Sequence, residues 1–243
     1  MLSGLSTAAA GMAAQQQRID AIANDLANVN TTGYKQLRVG FRDLLYNAQG
    51  DVAGPEVRAG AGARADIIGR SQAQGVLKRT DLPLDLAIEG QGYFQVRRAD
   101  GTLALTRDGS FRVDAQRRLT TQDGLLVAPP IRLPANVALD EVAIGRDGTV
   151  RARGQVLGRL QLVTVPAPDG LRPTGDNRFE VTAASGPVQP ATGTIVQGAL
   201  EGSNVDLAGA MVDMMGAQRA FQLAARAVEL QDRMLEVANQ VKR

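Results

Sequence analysis

The chain of 243 residues contains no cysteine, no histidine and no tryptophan. Without cysteine it has neither disulfides nor thiol chemistry, which leaves a location outside the cytoplasm open. Without histidine it lacks the commonest general base, the usual zinc ligand and the centre of a histidine-based triad. Five phenylalanines and three tyrosines are few for a large compact core, whereas 27 glycines suit a chain with many turns. Composition alone therefore excludes several common classes of enzyme.

Charge and hydropathy narrow the choice of partners. The formal net charge of +2 gives no reason to expect a nucleic acid or an anionic membrane as partner. No stretch approaches the roughly 18 to 20 apolar residues of a membrane span, so we predict no membrane insertion. The first fourteen residues are apolar and rich in alanine, but no basic segment precedes them and Arg18 comes too late. We interpret them as part of a mature helix and not as a cleaved signal peptide.

Three acidic residues, Asp81, Asp85 and Glu89, are the nearest approach to a catalytic cluster. Asp85 and Glu89 are predicted to face solvent, opposite alternating apolar residues of a strand. The sequence places no nucleophile or basic residue at a spacing that indicates pairing with them. The run from Gly90 to Gly92 lacks the third glycine and the following helix of a dinucleotide loop, so we interpret it as a turn. We predict no catalytic residue, no cofactor and no metal site, and hence no enzyme.

The N-terminal segment carries a heptad pattern, in which positions alternate at spacings of three and four and seven of eight are apolar. These positions are Leu5, Ala8, Met12, Gln15, Ile19, Ile22, Leu26 and Val29. The pattern predicts a helix that packs lengthwise on another helix. It should end near Val29, because Thr31 and Thr32 favour extended backbone and Gly33 can adopt a positive φ.

The C-terminal segment carries a matching pattern after a predicted N-cap at Ser203 or Asn204. Large apolar residues recur every seven positions at Leu207, Met214, Phe221, Val228 and Leu235, and a second row follows three residues later at Ala210, Ala217, Ala224, Gln231 and Ala238. The alanines would let a partner helix approach closely. If continuous, this helix would be about 50 Å long.

A further apolar row on the same helix consists of Leu223, Leu230 and Val237. A helix with two apolar stripes needs more than one neighbour, so the pattern favours contacts between subunits in addition to a hairpin of the two terminal helices. Three arginines, at positions 219, 226 and 233, lie seven apart. Acidic residues balance them on that helix, which favours solvated or intersubunit ion pairs over binding to a membrane surface.

Between about Asp66 and Leu200 the hydrophobic period is two, which predicts β-strands. Asp-Gly pairs suited to tight hairpins begin at positions 100, 108, 123, 147 and 169. We predict an α+β fold with coiled-coil-like terminal helices packed together, an extended linker, and an inserted antiparallel β domain in the form of a sandwich or partly closed barrel. The predicted divisions are residues 1–30, 31–72, 73–202 and 203–243, with a loop rich in alanine and glycine at 47–65.

Several motifs resemble those of the bacterial flagellar axial proteins, the rod and hook family. The segment 23–35 (ANDLANVNTTGYK) resembles that family's N-terminal signature, except that Asp25 stands where a second asparagine is usual. Three more segments resemble it in order: 84–94 (LDLAIEGQGYF), 106–111 (TRDGSF) followed by Asp114, and 197–205 (QGALEGSNV). The stretches 133–136 and 144–148 look most like the distal-rod branch of the family.

The resemblance implies a structural subunit that polymerises into a helical tubular axis and transmits torque from motor to hook in the basal body. It also implies export through the flagellar type III apparatus, with other rod and hook subunits and ring or bushing proteins as neighbours. A proximal rod or hook subunit is an alternative within the family. An alternative from another class is a carbohydrate-active enzyme directed at the cell wall, for which the sequence offers no recognisable acid and nucleophile.

We expect the assembly interface to lie on the two terminal helices, where Asn24 and Asn28 would fix the register through interhelical hydrogen bonds. Its predicted residues are Leu5, Met12, Ile19, Ile22, Asn24, Leu26, Asn28, Val29, Met214, Phe221, Val228 and Leu235. Because a lone helix is marginal in water, we expect both ends to be disordered or loosely paired in the free monomer and to become ordered on assembly.

Overall fold

The computed structural model describes residues 2–44, 47–48, 58–59 and 62–241. The chain divides into two compact units. The first, here called the helical unit, comprises residues 1–27, 37–68 and 206–243, and the second, the β unit, comprises residues 28–36 and 69–205. In the described part of the chain, neither helix combines the length and hydropathy that a membrane span requires.

Two long helices, α1 (Leu2–Ala27) and α2 (Leu207–Val241), pack against each other in the helical unit. Both helices bury small side chains in the helical unit, at Ala14 and Ala21 of α1 and at Ala210 and Ala217 of α2. Arg18, in the second half of α1, forms an ion pair of 3.0 Å with Asp213 near the start of α2, as expected for an antiparallel pair. The prediction that the terminal helices pack together is confirmed.

The helix ends differ from the prediction in two places. α1 ends at Ala27, and residues 28–30 form a turn. The predicted N-cap of α2 at Ser203 or Asn204 is wrong, since Asp206 Oδ1 accepts a hydrogen bond from the Ala208 amide at 3.1 Å. That carboxylate occupies the capping position directly before Leu207. Asn204 is engaged elsewhere, because its side chain oxygen accepts a bond from the Gln36 amide at 2.7 Å.

Four strands lie between the two helices in the first part of the chain: β1 (Leu37–Asp43), β2 (Asn47–Ala48), β3 (Arg58–Ala59) and β4 (Ala63–Arg70). β1 pairs with β4, and β2 pairs with β3. In the helical unit β1 contacts α1, and the Leu37 amide donates to Asp25 Oδ1 at 3.0 Å. Residues 45–46, 49–57 and 60–61 of the predicted loop lie outside the described residues.

The β unit contains sixteen further strands among the described residues, and every pairing between them is antiparallel. They are β5 (Leu77–Arg79), β6 (Leu86–Glu89), β7 (Tyr93–Arg97), β8 (Leu103–Thr106), β9 (Phe111–Val113), β10 (Leu119–Thr121), β11 (Leu126–Val127), β12 (Val142–Ile144), β13 (Thr149–Ala152), β14 (Gln155–Arg159), β15 (Leu162–Thr164), β16 (Arg172–Pro173), β17 (Arg178–Glu180), β18 (Gln189–Pro190), β19 (Thr194–Gln197) and β20 (Ala199–Glu201). The largest sheet has the order β16-β17-β8-β7-β11-β10-β9, with β15 between β7 and β18. The predicted antiparallel β domain is confirmed.

Hydrophobic burial holds the β unit together. Its main core cluster includes Leu86, Ile88, Phe94 and Ile195, all almost fully buried. Asp85 was predicted to face solvent, but it is buried, whereas Glu89 is exposed as predicted. The alternation fails here because β6 is covered on both faces, so that Leu86, Ala87 and Ile88 are all buried in succession.

Three of the five Asp-Gly pairs form hairpins as predicted, at positions 100, 123 and 147. In each of them only the glycine adopts a positive φ. The prediction is wrong for Asp108–Gly109, which lies in a loop between strands that do not pair, and for Asp169–Gly170, which lies in the short 3-10 helix Pro168–Gly170. The hairpin at 147 pairs Ile144 with Val150 and Val142 with Ala152.

Candidate functional site

The residues predicted for assembly lie mostly on the inner faces of the two helices. Ile22 is buried in the helical unit, and the others are half-buried except Asn24, which is exposed. The half-buried residues are Leu5, Met12, Ile19, Leu26, Met214, Phe221 and Val228 in the helical unit, and Asn28 and Val29 in the β unit. The side chain of Leu235 lies outside the described residues. Most of the heptad positions whose side chains are described are therefore partly covered within one chain, although Leu207 is 44% exposed.

The further apolar row on α2, Leu223, Leu230 and Val237, has no such cover. Leu223, Leu230 and Val237 are 65%, 58% and 59% exposed. At about 100° per residue, they lie on the opposite side of α2 from Ala210 and Ala217. An exposed stripe of large apolar side chains is unusual for a surface helix and marks a contact surface.

A second feature, hidden inside the β unit, is an ionic cluster of three residues, Lys35, Arg107 and Glu201. Their side chains are 2%, 4% and 0% exposed. Lys35 Nζ lies 2.7 Å from Glu201 Oε1, and an Arg107 guanidinium nitrogen lies 3.0 Å from Glu201 Oε2. We call these three residues the Glu201 cluster.

Backbone groups add hydrogen bonds to the Glu201 cluster, while Arg107 Nε is buried without a hydrogen-bond partner among the described residues. The Gly75 amide donates to Glu201 Oε1 at 2.9 Å, and the Glu201 carbonyl accepts from the Gly33 amide at 2.7 Å. Lys35 also donates to the Ala73 carbonyl at 2.7 Å, and Arg107 to the Gly90 carbonyl at 2.9 Å. A buried ion pair is stable only when such additional bonds satisfy its remaining polar atoms.

Burial also shifts two pKa values in and beside the cluster. Desolvation lowers the pKa of Lys35 below 10.5, and the nearby Arg107 acts in the same direction, while the bond to Glu201 only partly offsets them. Desolvation raises the pKa of Tyr93 above 10.0, although Arg107 lies over its ring at 5.5 Å from the centroid. The chemistry is that of an enclosed charged core and not of a reactive site, because two buried cations share one carboxylate and also donate to backbone carbonyls.

The cluster brings together the motifs that the sequence singled out separately. Gly33 and Lys35 come from the first, Arg107 from the third and Glu201 from the last. Gly33 adopts a φ of +66°, and a Cβ atom there would lie 2.6 Å from the Arg107 carbonyl carbon. Sequence reasoning missed the Glu201 cluster. The sequence did show a charged residue in each of these three motifs, which could have suggested a cluster. Nothing in the sequence alone indicates that these charged residues pair with one another.

Three protein-family models match the chain. They are the flagella basal body rod protein over residues 5–35, the flagellar hook protein FlgE/F/G D1 domain over residues 87–152, and the flagellar basal body rod FlgEFG protein C-terminal region over residues 196–241. The matches thus include both terminal helices and the middle of the β unit.

Similarity to whole proteins decides the family. The chain is 38% identical to the flagellar basal-body rod protein FlgG of Caulobacter vibrioides, over 84% of this chain and 86% of that protein. It is also 40% identical to FlgG of Agrobacterium fabrum over the same shares, and 35% identical to FlgG of Bacillus subtilis over 85% and 86%. The chain belongs to the flagellar basal-body rod family. Within it the chain is most like FlgG, the distal rod protein.

Membership settles the class of function. This rod protein is a structural subunit of the flagellar basal body and not an enzyme, and the cell-wall enzyme alternative is not favoured. Its departure from the usual rod signature, Asp25, is a buried residue at the end of α1. There the carboxylate accepts the Leu37 amide at 3.0 Å, a bond that an asparagine side chain oxygen could equally accept.

Proposed function

We propose that the protein polymerises through its terminal helices into the helical tubular axis of the distal rod and transmits torque from motor to hook. The observation that supports this most directly is the exposed row of Leu223, Leu230 and Val237 on α2. Burying apolar surface is the main favourable contribution to protein association. A contact between two different surfaces that does not close a ring produces a helical filament.

The proposed assembly interface comprises the twelve residues predicted from the sequence, ten from the two heptad patterns together with Asn24 and Asn28. In this proposal the inner positions, such as Ile22 and Phe221, hold α1 and α2 in coiled-coil-like packing, and the outer row of α2 contacts other subunits. Asn24 and Asn28 would set the register. We also propose that the domains divide after residues 30, 72 and 202. The proposed form of the β domain is a sandwich or a partly closed barrel.

Assembly would also explain how the protein is delivered. Helices that are loosely paired in the free monomer would leave the chain pliable enough for the flagellar type III apparatus. They would become ordered where neighbouring subunits bury their apolar faces. Other rod and hook subunits are the proposed neighbours along the axis, and ring or bushing proteins are proposed around it.

The test is a double variant, Leu26→Ala with Phe221→Ala. It should still be exported but fail to build rods, since it removes large half-buried side chains from both helices. The matched control, Gln218→Ala with Gln222→Ala, changes two exposed side chains of α2 and should assemble normally. Export is measured in the culture medium, and rods are counted in electron micrographs of isolated basal bodies. Normal rods from the first variant would contradict the proposal.

A further inference from the structure

A groove of about 360 Å³ lies in the helical unit between α1 and the paired strands β1 and β4. Apolar side chains form much of its lining, at Ala21, Val39, Ala65 and Ile67. Its charged lining residues within the described part of the chain are two carboxylates, Asp20 and Asp66. Ile67 is 62% exposed, so a large apolar side chain stands open to solvent beside acidic groups.

The exposed row on α2 has the complementary character. Arg219, Arg226 and Arg233 each precede a member of the row by four residues, and residues four apart share one face of a helix. No described residue forms an ion pair with these arginines. At about 100° per residue, the exposed residues Glu229 and Glu236 lie on the same side of the row as the arginines, about 60° further from it. The row is therefore apolar, with the arginines along one border, between the row and these two glutamates.

We infer that the groove receives the Leu223, Leu230 and Val237 row of a second copy of this chain, with the arginines beside Asp20 and Asp66. This inference rests on the proposed function, because it names the surface that α2 would contact in the polymer. Within one helical unit the row points away from α1, which forms one wall of the groove. The row that enters the groove must therefore come from another chain. The carboxylates beside the groove and the arginines beside the row carry opposite charges, which favours this partner over another apolar surface.

The two surfaces differ, which gives the contact a direction. A groove on one copy and a helix row on the next form a heterologous contact that leaves a free groove and a free row at the ends. Asp66 already pairs with Arg64 at 3.0 Å, and Asp20 accepts a bond from Gln16 at 2.9 Å. Both interactions are exposed, so exchanging them for an intersubunit arginine involves little loss.

The absence of cysteine permits a sharp test. One preparation carries Ile67→Cys and the other Leu230→Cys, and each has a single thiol, so that a mixed disulfide joins two chains at known positions. The mixture is polymerised at high protein concentration, oxidised, and analysed by denaturing electrophoresis and peptide mapping. Leu223→Cys and Val237→Cys replace Leu230→Cys in parallel to identify the register.

We expect a 67–230, 67–223 or 67–237 disulfide in the polymer, at least about tenfold above the matched control Glu229→Cys, whose side chain points about 100° away on the same helix. Polymers without any of these disulfides would overturn the inference and leave the proposed function standing, with the groove assigned to another partner. No self-association at any concentration would overturn the proposed function and this contact together.

Charge reversal supplies a second measurement. Asp20→Lys should raise the concentration needed for half-maximal polymerisation by about tenfold or more, since it places like charges together. Asp20→Lys combined with Arg226→Glu should recover part of this loss, whereas an unchanged concentration for Asp20→Lys would count against the contact. Circular dichroism of the dilute variants checks that their helix content equals that of the wild-type chain.

Discussion

Lys35 Nζ lies 2.7 Å from Glu201 Oε1, although the two residues are 166 positions apart in the sequence. Both side chains are enclosed, and Arg107 binds the other carboxylate oxygen. Removing one partner of a buried ionic group leaves an uncompensated charge, which is far more destabilising than losing an exposed pair.

We therefore expect Glu201→Gln to lower the free energy of unfolding by about 3 to 5 kcal/mol, because two buried cations lose their counter-charge. The control is Glu89→Gln, which breaks an exposed pair with Arg146 and should lower it by about 1 kcal/mol or less. Urea denaturation followed by circular dichroism measures both. Equal effects for the two variants would contradict the role assigned to the Glu201 cluster.

The pH dependence of stability should carry the signature of Lys35. Because its pKa is lowered in the folded protein, the unfolded chain binds more protons between that value and 10.5. Stability from this group therefore rises with pH across that interval. The raised pKa of Tyr93 acts oppositely, since its stabilising contribution is lost as pH rises above 10.0.

Comparison with Lys35→Met isolates the lysine. We expect the difference in free energy of unfolding, wild type minus variant, to increase as the pH rises towards 10.5. Denaturation curves at several alkaline pH values measure this difference. A difference that falls over that range would show that the pKa of Lys35 is not lowered.

Gly33→Ala should be strongly destabilising. The added methyl group would meet the Arg107 backbone at 2.6 Å, and the positive φ of 66° adds strain, for a total of about 2 kcal/mol or more. Gly101→Ala is the control, because Gly101 has a φ of +85° with nothing within 4 Å of the added atom. It should lose only about 1 kcal/mol in urea denaturation. A smaller loss at Gly33 than at Gly101 would count against the close approach.

Ala217→Leu should disturb the helix pair. Ala217 is fully buried between α1 and α2, and overpacking such a site destabilises by about 1 to 3 kcal/mol. Ala227→Leu adds the same atoms at an exposed position of α2 and should change stability by about 0.5 kcal/mol or less. Because the helices are expected to be loosely paired in the dilute monomer, helical circular dichroism is followed during denaturation of polymers, and equal values would exclude close packing at Ala217.

Hydrogen exchange tests the expected looseness of the free monomer. Amides of residues 2–27 and 207–241 should exchange rapidly in dilute solution and become protected in polymers, because packing supplies most of their helical stability. Strands β6 and β7 of the buried core serve as the internal control and should stay protected in both states. High protection of both helices in dilute solution would contradict the expectation.

Predictions from sequence patterns were correct where the structure depends on neighbouring residues. The heptad rows predicted two helices and the buried Ala210 and Ala217, and three Asp-Gly pairs predicted hairpins, whereas the buried Ala14 and Ala21 lie outside the predicted rows. Prediction failed where a distant neighbour decides the outcome. Asp85 is buried because β6 is covered on both faces, and Asp108–Gly109 is held in a loop because its flanking strands pair with other strands.

The sequence by itself determined the two helices, the antiparallel strands, the family and the absence of histidine and thiol chemistry. Each of these depends on residue type and on short-range periodicity, which the chain carries in any conformation. Only the tertiary structure decided that Lys35, Arg107 and Glu201 meet, and which apolar row of α2 stays exposed. Such outcomes depend on which segments exclude water from one another, and sequence spacing does not encode that.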